Sequence, residues 1–270
     1  MSSSLSAVPA VLSIGGSDCC GAAGIQADIK TFAAFGVYGA TAVTCMIAQQ
    51  PGGGDEIRNV DPEFVVRQIR AACETFPVAA VKTGILQSAE MVRAVAAAIV
   101  AQGIPVLVVD PVMFSSSGAR VMSDDAIGIL RAELLPQARV VTPNVREAEI
   151  LAGRSISNTD DLRLAAREIC ERFDVACIAM GGGLVGDEIL DVLYDENEEF
   201  IMRSPRILSD ETHGIGCTFS AALTSCLAHG MHLSEALART KDFVGRALRE
   251  AVMIGHHRPL NWMWASESDE

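Results

Sequence analysis

Ala10-Val11-Leu12-Ser13-Ile14-Gly15-Gly16-Ser17-Asp18 runs into Gly21-Ala22-Ala23-Gly24, then into an amphipathic stretch over 25–35 that stops at Gly36. An apolar run of strand length, a glycine turn and a helix-periodic segment make one strand–turn–helix unit. The unit decides the fold because it recurs. Apolar runs over 10–14, 40–47, 78–82, 105–110, 140–142 and 175–180 read as strands. They are nearly continuous, as in parallel strands covered on both faces. Amphipathic segments over 61–76, 88–102, 123–135 and 159–173, then 217–228 and 233–253, predict helices. Asp61-Pro62 suits N-cap and N1, Gly103 suits a C-terminal stop, and Ser123-Asp124-Asp125 places carboxylates at a positive helix end. The alternation predicts an α/β fold, a mostly parallel central sheet with helices on both faces. Residues 190–194 and 200–204 flank Asp195-Glu196-Asn197-Glu198-Glu199 and predict a late β-hairpin. No period of 20–50 residues recurs, which excludes a solenoid.

Composition narrows the function. The 270 residues are 50% hydrophobic, enough for one large domain over 10–262, with a disordered segment over 1–9 and an acidic tail over 263–270. A net charge of −13 repels phosphodiester backbones and argues against nucleic acid. No apolar run reaches the roughly 18 residues of a membrane span. The start lacks a basic n-region and a long apolar stretch, so a cytoplasmic location is expected. Eight cysteines without C-x-x-C spacing fit buried thiols in a reducing compartment better than a structural zinc site. Lysine occurs only as Lys30, Lys82 and Lys241.

Ligands of such sheets bind beyond the carboxyl ends of the strands. Two glycine-rich segments lie there. Around Gly15-Gly16 the backbone can approach a ligand closely, or simply make a tight turn. Thr212-His213-Gly214-Ile215-Gly216-Cys217-Thr218 precedes a helix, so Gly214 and Gly216 can present free N–H groups as an anion hole, with Cys217 at its mouth. A thiol at a helix N-terminus is expected to have a lowered pKa and to serve as a base; the alternative is a buried thiol in a turn. Gly181-Gly182-Gly183-Leu184-Val185-Gly186 matches a dinucleotide fingerprint, but the acidic turn and strand after it replace the required helix. No P-loop motif occurs. Asp110 ends one strand, and Asn144 and Glu147 follow another at i and i+3, where they could hold Mg²⁺ with its waters or form a helix capping arrangement. Gln49, an amide able to donate and accept, suits a heterocycle edge or an exposed loop. Lys82 closes a buried strand, an uncomfortable place for filler.

Taken together these segments resemble the hydroxymethylpyrimidine/phosphomethylpyrimidine kinase family of thiamine biosynthesis, within the ribokinase-like superfamily. The matching stretches are Ile14-Gly15-Gly16-Ser17-Asp18, Gly24-Ile25-Gln26-Ala27-Asp28-Ile29-Lys30, Val81-Lys82-Thr83-Gly84, Asp110-Pro111-Val112-Met113, Thr142-Pro143-Asn144-Val145-Arg146-Glu147 and residues 212–218, in family order. The resemblance implies transfer of the γ-phosphate of ATP, with Mg²⁺, first to the aminopyrimidine alcohol and then to its monophosphate. It implies Gln49, Gly16, Asp28, Ile47 and Lys82 at the pyrimidine; Asp110 and Glu147 at the metal; Asn144, Thr212 and Lys241 at the nucleotide. Gly214 and Gly216 would form the anion hole, and Cys217 would stand in place of the aspartate base of most ribokinase-like enzymes. The resemblance also suggests a homodimer.

The chain departs from the family pattern. Met180-Gly181-Gly182-Gly183 replaces Lys-Gly-Gly-His, Cys19-Cys20 replaces Pro-Ser, and no lysine occurs in Phe114-Ser115-Ser116-Ser117-Gly118. Two expected phosphate-facing cations are thus missing, at Met180 and Ser116, with Arg146 and Arg258 as substitutes to be placed. The other readings are a pyridoxal-type kinase and a pyrimidine-binding protein with weakened transfer.

Overall fold

A computed structural model describes residues 8–48, 56–115, 118–207 and 213–263. Gln49, Thr212, Ser116 and most of the two expected terminal segments lie outside these residues. The apolar runs form strands β1 (Ala10–Asp18), β2 (Tyr38–Ala48), β4 (Val78–Thr83), β5 (Leu107–Val109), β6 (Val140–Val141) and β7 (Ala176–Met180), all parallel. The expected hairpin is β8 (Glu188–Asp195) and β9 (Glu198–Pro205), antiparallel to β7 and to each other. Its turn takes positive φ at Glu196 and Asn197, as a two-residue hairpin turn requires. The strand β3 (Glu56–Asn59) pairs antiparallel with β2 at the other edge. The order is β3-β2-β1-β4-β5-β6-β7-β8-β9.

The helices are α1 (Gly24–Ala34), α2 (Pro62–Thr75), α3 (Ala89–Gln102), α4 (Asp124–Ile129), α5 (Val145–Ala152), α6 (Thr159–Phe173), α7 (Ile215–Ala228) and α8 (Leu233–Arg249). Side chains of Asp61, Ser88, Ser123, Asn144 and Asn158 cap α2 to α6, each accepting an orphan N–H of the first turn. Strand alternation divides the core. Leu12, Ile14, Val81 and Val109 pack against α2–α6, whereas Val108, Val140 and Ile178 pack against α1, α7 and α8. The residues between them, Ser13 on β1 and Lys82 on β4, therefore face α1.

Two helices differ from expectation. The segment over 123–135 is α-helical only to Ile129 and continues as a π turn, Leu130–Leu134, and a short 3-10 turn containing Pro136. α8 stops at Arg249 rather than 253 because Gly255, at φ 63°, turns the chain back and pairs Ile254 with His257. The returning segment buries Leu260 and Trp262 on the α7–α8 side. Among the described residues no helix is long and apolar enough to cross a membrane.

Candidate active site

Strand order reverses at β1, whose neighbours are β2 and β4. Such a switch point splays the outgoing chain segments and opens a crevice at the carboxyl ends. A cavity of about 530 Å³ lies there. It brings together Gly16, Asp28, Ile47, Lys82, Asp110, Asn144, Glu147, Gly214, Gly216 and Cys217.

Its floor is ionic. The Lys82 ammonium donates to both oxygens of Asp28, at 2.7 and 2.9 Å, and both side chains are about 1% exposed. The Ser13 hydroxyl donates to Asp28 at 2.6 Å. Burial works against a charged lysine, but the fields of Asp28, Cys217 and Asp110 and the Asp28 hydrogen bond overcome it, so the Lys82 pKa is raised. Lys82 is therefore a fixed cation. Asp110 is buried too, accepting from the Ser220 hydroxyl at 2.8 Å; burial raises its pKa against the pull of Lys82. One lysine thus serves two carboxylates.

Asn144 and Glu147 close a reciprocal capping box at the start of α5. Asn144 Oδ1 accepts from the Glu147 N–H at 3.0 Å, Glu147 Oε2 accepts from the Asn144 N–H at 3.0 Å, and Glu147 Oε1 accepts from the Met113 N–H at 3.2 Å. Burial, with Asp110 next, pushes Glu147 up to about 8 despite these donors. Asp110 and Glu147 are hard oxygen donors that repel each other in a buried place. That donor set fits a Mg²⁺ ion, which takes one or two carboxylates and keeps several waters.

The phosphate end is built by two glycine-rich segments in contact. Gly214 has φ 83°, and a Cβ there would fall 1.8 Å from the Ala22 carbonyl oxygen, so only glycine fits. It begins α7, and no side chain caps that helix, which leaves its first-turn N–H groups to the cavity. The Asp18 carboxylate holds the facing loop. It accepts from the N–H groups of Cys20, Ala22 and Ala23 at 2.9, 3.1 and 2.9 Å, and His213 Nε2 lies 3.2 Å from it. The Gly24 N–H donates to the Cys217 sulfur.

The thiol corrects one expectation. Burial pushes Cys217 up to about 12, with Asp28 and Asp110 adding to the rise and Lys82 and the Gly24 N–H opposing it. A helix N-terminus lowers a thiol pKa where it dominates the field; here burial and two carboxylates outweigh it. Lys241, expected at the nucleotide, donates to Asp191 Oδ2 at 2.5 Å, while Asp191 Oδ1 accepts the Gly181 N–H at 2.9 Å. Gly181–Gly183 is a single 3-10 turn leading into β8, not a helix start. Arg206, which the sequence did not single out, lines the cavity and ties that turn. It donates to the Gly186 and Gly182 carbonyls at 2.6 and 2.9 Å and to Leu184. Arg146 stacks 3.4 Å from the Phe114 ring centroid, and Arg258 bonds the Ala251 carbonyl.

A family model described as phosphomethylpyrimidine kinase matches residues 18–261. The chain belongs to that family. It is 40% identical over 250 residues to the hydroxymethylpyrimidine/phosphomethylpyrimidine kinase of Synechococcus elongatus, covering 92% of this chain and 95% of that one. It is 42% identical over 258 residues to the thiamine biosynthesis bifunctional protein of Geobacter sulfurreducens, covering 95% of this chain but only 53% of that protein. The chain therefore spans about half the length of that relative. Among solved structures, an ADP complex of Bacillus subtilis pyridoxal kinase superposes with a TM-score of 0.89 at 33% identity, over 96% of this chain and 99% of that one. The expected ribokinase-like α/β kinase fold is thus borne out.

Proposed function

We propose that the chain transfers the γ-phosphate of ATP to 4-amino-5-hydroxymethyl-2-methylpyrimidine, and then a second phosphate to the resulting monophosphate. The single observation behind this reading is the convergence of Asp28, Lys82, Asp110, Cys217 and the Gly214–Gly216 amides on one cavity. Phosphoryl transfer passes through a loose transition state, so fixed positive charge and oriented N–H groups matter more than a strong base. Lys82 supplies the first and the start of α7 the second. Asp28, pinned by Lys82 and Ser13, and Gly16 and Ile47 at the end of β1 and on β2 shape the heterocycle pocket. Gln49 follows directly in the chain and belongs to the same reading, as does Thr212 beside His213 at the phosphate end.

Mg²⁺ would sit on Asp110 and Glu147 and offset charge on the transferring phosphate. Cys217 marks where the alcohol proton leaves. It can accept that proton only as the thiolate, a form that Lys82 and the Gly24 N–H favour and that burial, Asp28 and Asp110 oppose. A homodimeric, cytoplasmic enzyme completes the reading, on the family resemblance alone.

The test is a phosphorylation screen of the aminopyrimidine alcohol, its monophosphate and pyridoxal, with products resolved by mass. Both pyrimidines are expected to accept phosphate faster than pyridoxal. Product from pyridoxal alone would assign the vitamin B6-type activity of the structural neighbour, and heterocycle binding without any product would leave a binding protein. In the same assay Cys217→Ala is expected to lower kcat about 10³-fold, within the range for a positioned proton acceptor. An unchanged rate removes that role.

A further inference from the structure

Of the eight cysteines, only Cys19 and Cys20 are exposed; Cys45, Cys73, Cys170, Cys177, Cys217 and Cys226 are buried or half-buried. The two exposed thiols are adjacent in sequence and within hydrogen-bond reach of each other. Both sulfurs and an Asp18 carboxylate oxygen lie within 4.8 Å of one another. Tetrahedral coordination with bonds of about 2.3 Å sets two sulfurs about 3.8 Å apart, so rotation of exposed side chains suffices to close a chelate. The Asp18 carboxylate is held in place by the N–H groups of Cys20, Ala22 and Ala23, a fixed negative charge beside the thiols. Thiolates select soft divalent cations over the Mg²⁺ that kinases use.

We propose that Cys19 and Cys20, beside Asp18, form an inhibitory site for a soft divalent cation of the Zn²⁺ or Cd²⁺ kind. On binding, two S–H bonds break, two sulfur–metal bonds form, and two protons pass to solvent, with no change of oxidation state. The site lies on the loop that makes the phosphate end of the cavity. That loop carries Gly24, whose N–H reaches the Cys217 sulfur, and Ala22, whose carbonyl meets Gly214. An ion that also takes the Asp18 carboxylate draws it from the Cys20, Ala22 and Ala23 N–H groups that hold the loop, and so shifts both contacts. The inhibitory half rests on the phosphoryl-transfer reading; the binding half does not.

The experiment is a titration of the reduced, metal-free full-length protein with Cd²⁺, followed by the ultraviolet thiolate-to-cadmium charge-transfer band. One equivalent is expected to saturate it. Cys19→Ser/Cys20→Ser is expected to abolish the band, and each single variant to weaken it by about a hundredfold, the upper scale seen for groups around a metal. Thermal melts check that the exposed substitutions leave the fold intact. A wild-type chain with no band at one equivalent, or a double variant that keeps it, overturns the site. Cd²⁺ inhibition of phosphoryl transfer is expected in the wild type and not in the double variant; equal inhibition of both overturns the coupling. Because the absorbance needs no substrate, failure of the site and failure of the kinase reading are read separately.

Discussion

On the wall built from β1, β4, β5, α1 and α7, Asp28, Lys82 and Asp110 are buried and line the cavity. On the wall built from β7, β8 and the chain after β9, the cations are tied to the protein: Lys241, from α8 behind it, donates to Asp191, and Arg206, at the cavity lining, to the carbonyls of the Gly182–Gly186 loop. The first wall presents charge to the reacting groups. The second uses charge to fix a glycine turn and presents mostly backbone and apolar surface. The family's missing lysine, at Met180, belongs to the second wall. On the proposed reading its loss therefore bears on holding the nucleotide and leaves Asp28, Lys82, Asp110 and Cys217 in place.

The contrast breaks most readily at Lys82. Lys82→Met leaves Asp28 and Asp110 buried without their shared cation and is expected to cost roughly 3–5 kcal/mol of folding free energy, read by urea unfolding at neutral pH. A loss under about 1 kcal/mol would mean that the carboxylates are not charged, and the first wall would lose its distinction.

Glu147 sharpens the comparison through pH. Its folded pKa of about 8 lies above the ordinary glutamate value of 4.5, so between these values the folded state binds the proton more tightly than the unfolded chain. The stabilisation from that proton is full below the unfolded value and is lost as pH rises toward the folded one. Wild-type stability should fall across that window by an amount on the order of 5 kcal/mol, and Glu147→Gln should flatten the profile. On the proposed reading Mg²⁺ would compete with the same proton, so the apparent Mg²⁺ requirement should ease as pH rises toward 8 in the wild type only. Parallel profiles for the two proteins would place Glu147 outside the charged wall.

The smallest effect is expected on the second wall. Met180→Lys should lower the nucleotide KM about threefold to tenfold, the scale of about 1 kcal/mol from one partly exposed charge, with kcat unchanged. A change in kcat instead would show that the two walls are not separate in function.

Much of this was legible in the residues because local signals agreed. α6 runs from Thr159 to Phe173 as expected, with Asn158 as its cap and alternating apolar and charged positions. β3 was missed because Glu56-Ile57-Arg58-Asn59 offers one apolar side chain, which is how an edge strand reads. The π turn at Leu130–Leu134 has no local signature that separates it from an ordinary helix. At the site, the strand-end positions of Lys82, Asp110, Asn144 and Glu147 pointed to one place because a parallel sheet gathers such ends. The thiol pKa did not follow, since a helix start is written locally while Asp28 and Asp110 reach Cys217 only through the fold. The partners of Lys241 and Arg206 were hidden for the same reason: sequence reports a cation but not which carboxylate or carbonyl it will meet.

The Asp18–His213 contact joins positions 195 residues apart. Chain growing from a ribosome can lay down β1 and α1 early, yet that half of the phosphate cradle waits for Gly214 to arrive and close against Ala22. Contacts so distant along the chain also form slowly, because their loop entropy falls due before their reward. Catalytic competence should accordingly be among the last properties acquired in biogenesis, and any product of premature termination before α7 would be inert toward nucleotide rather than partly active.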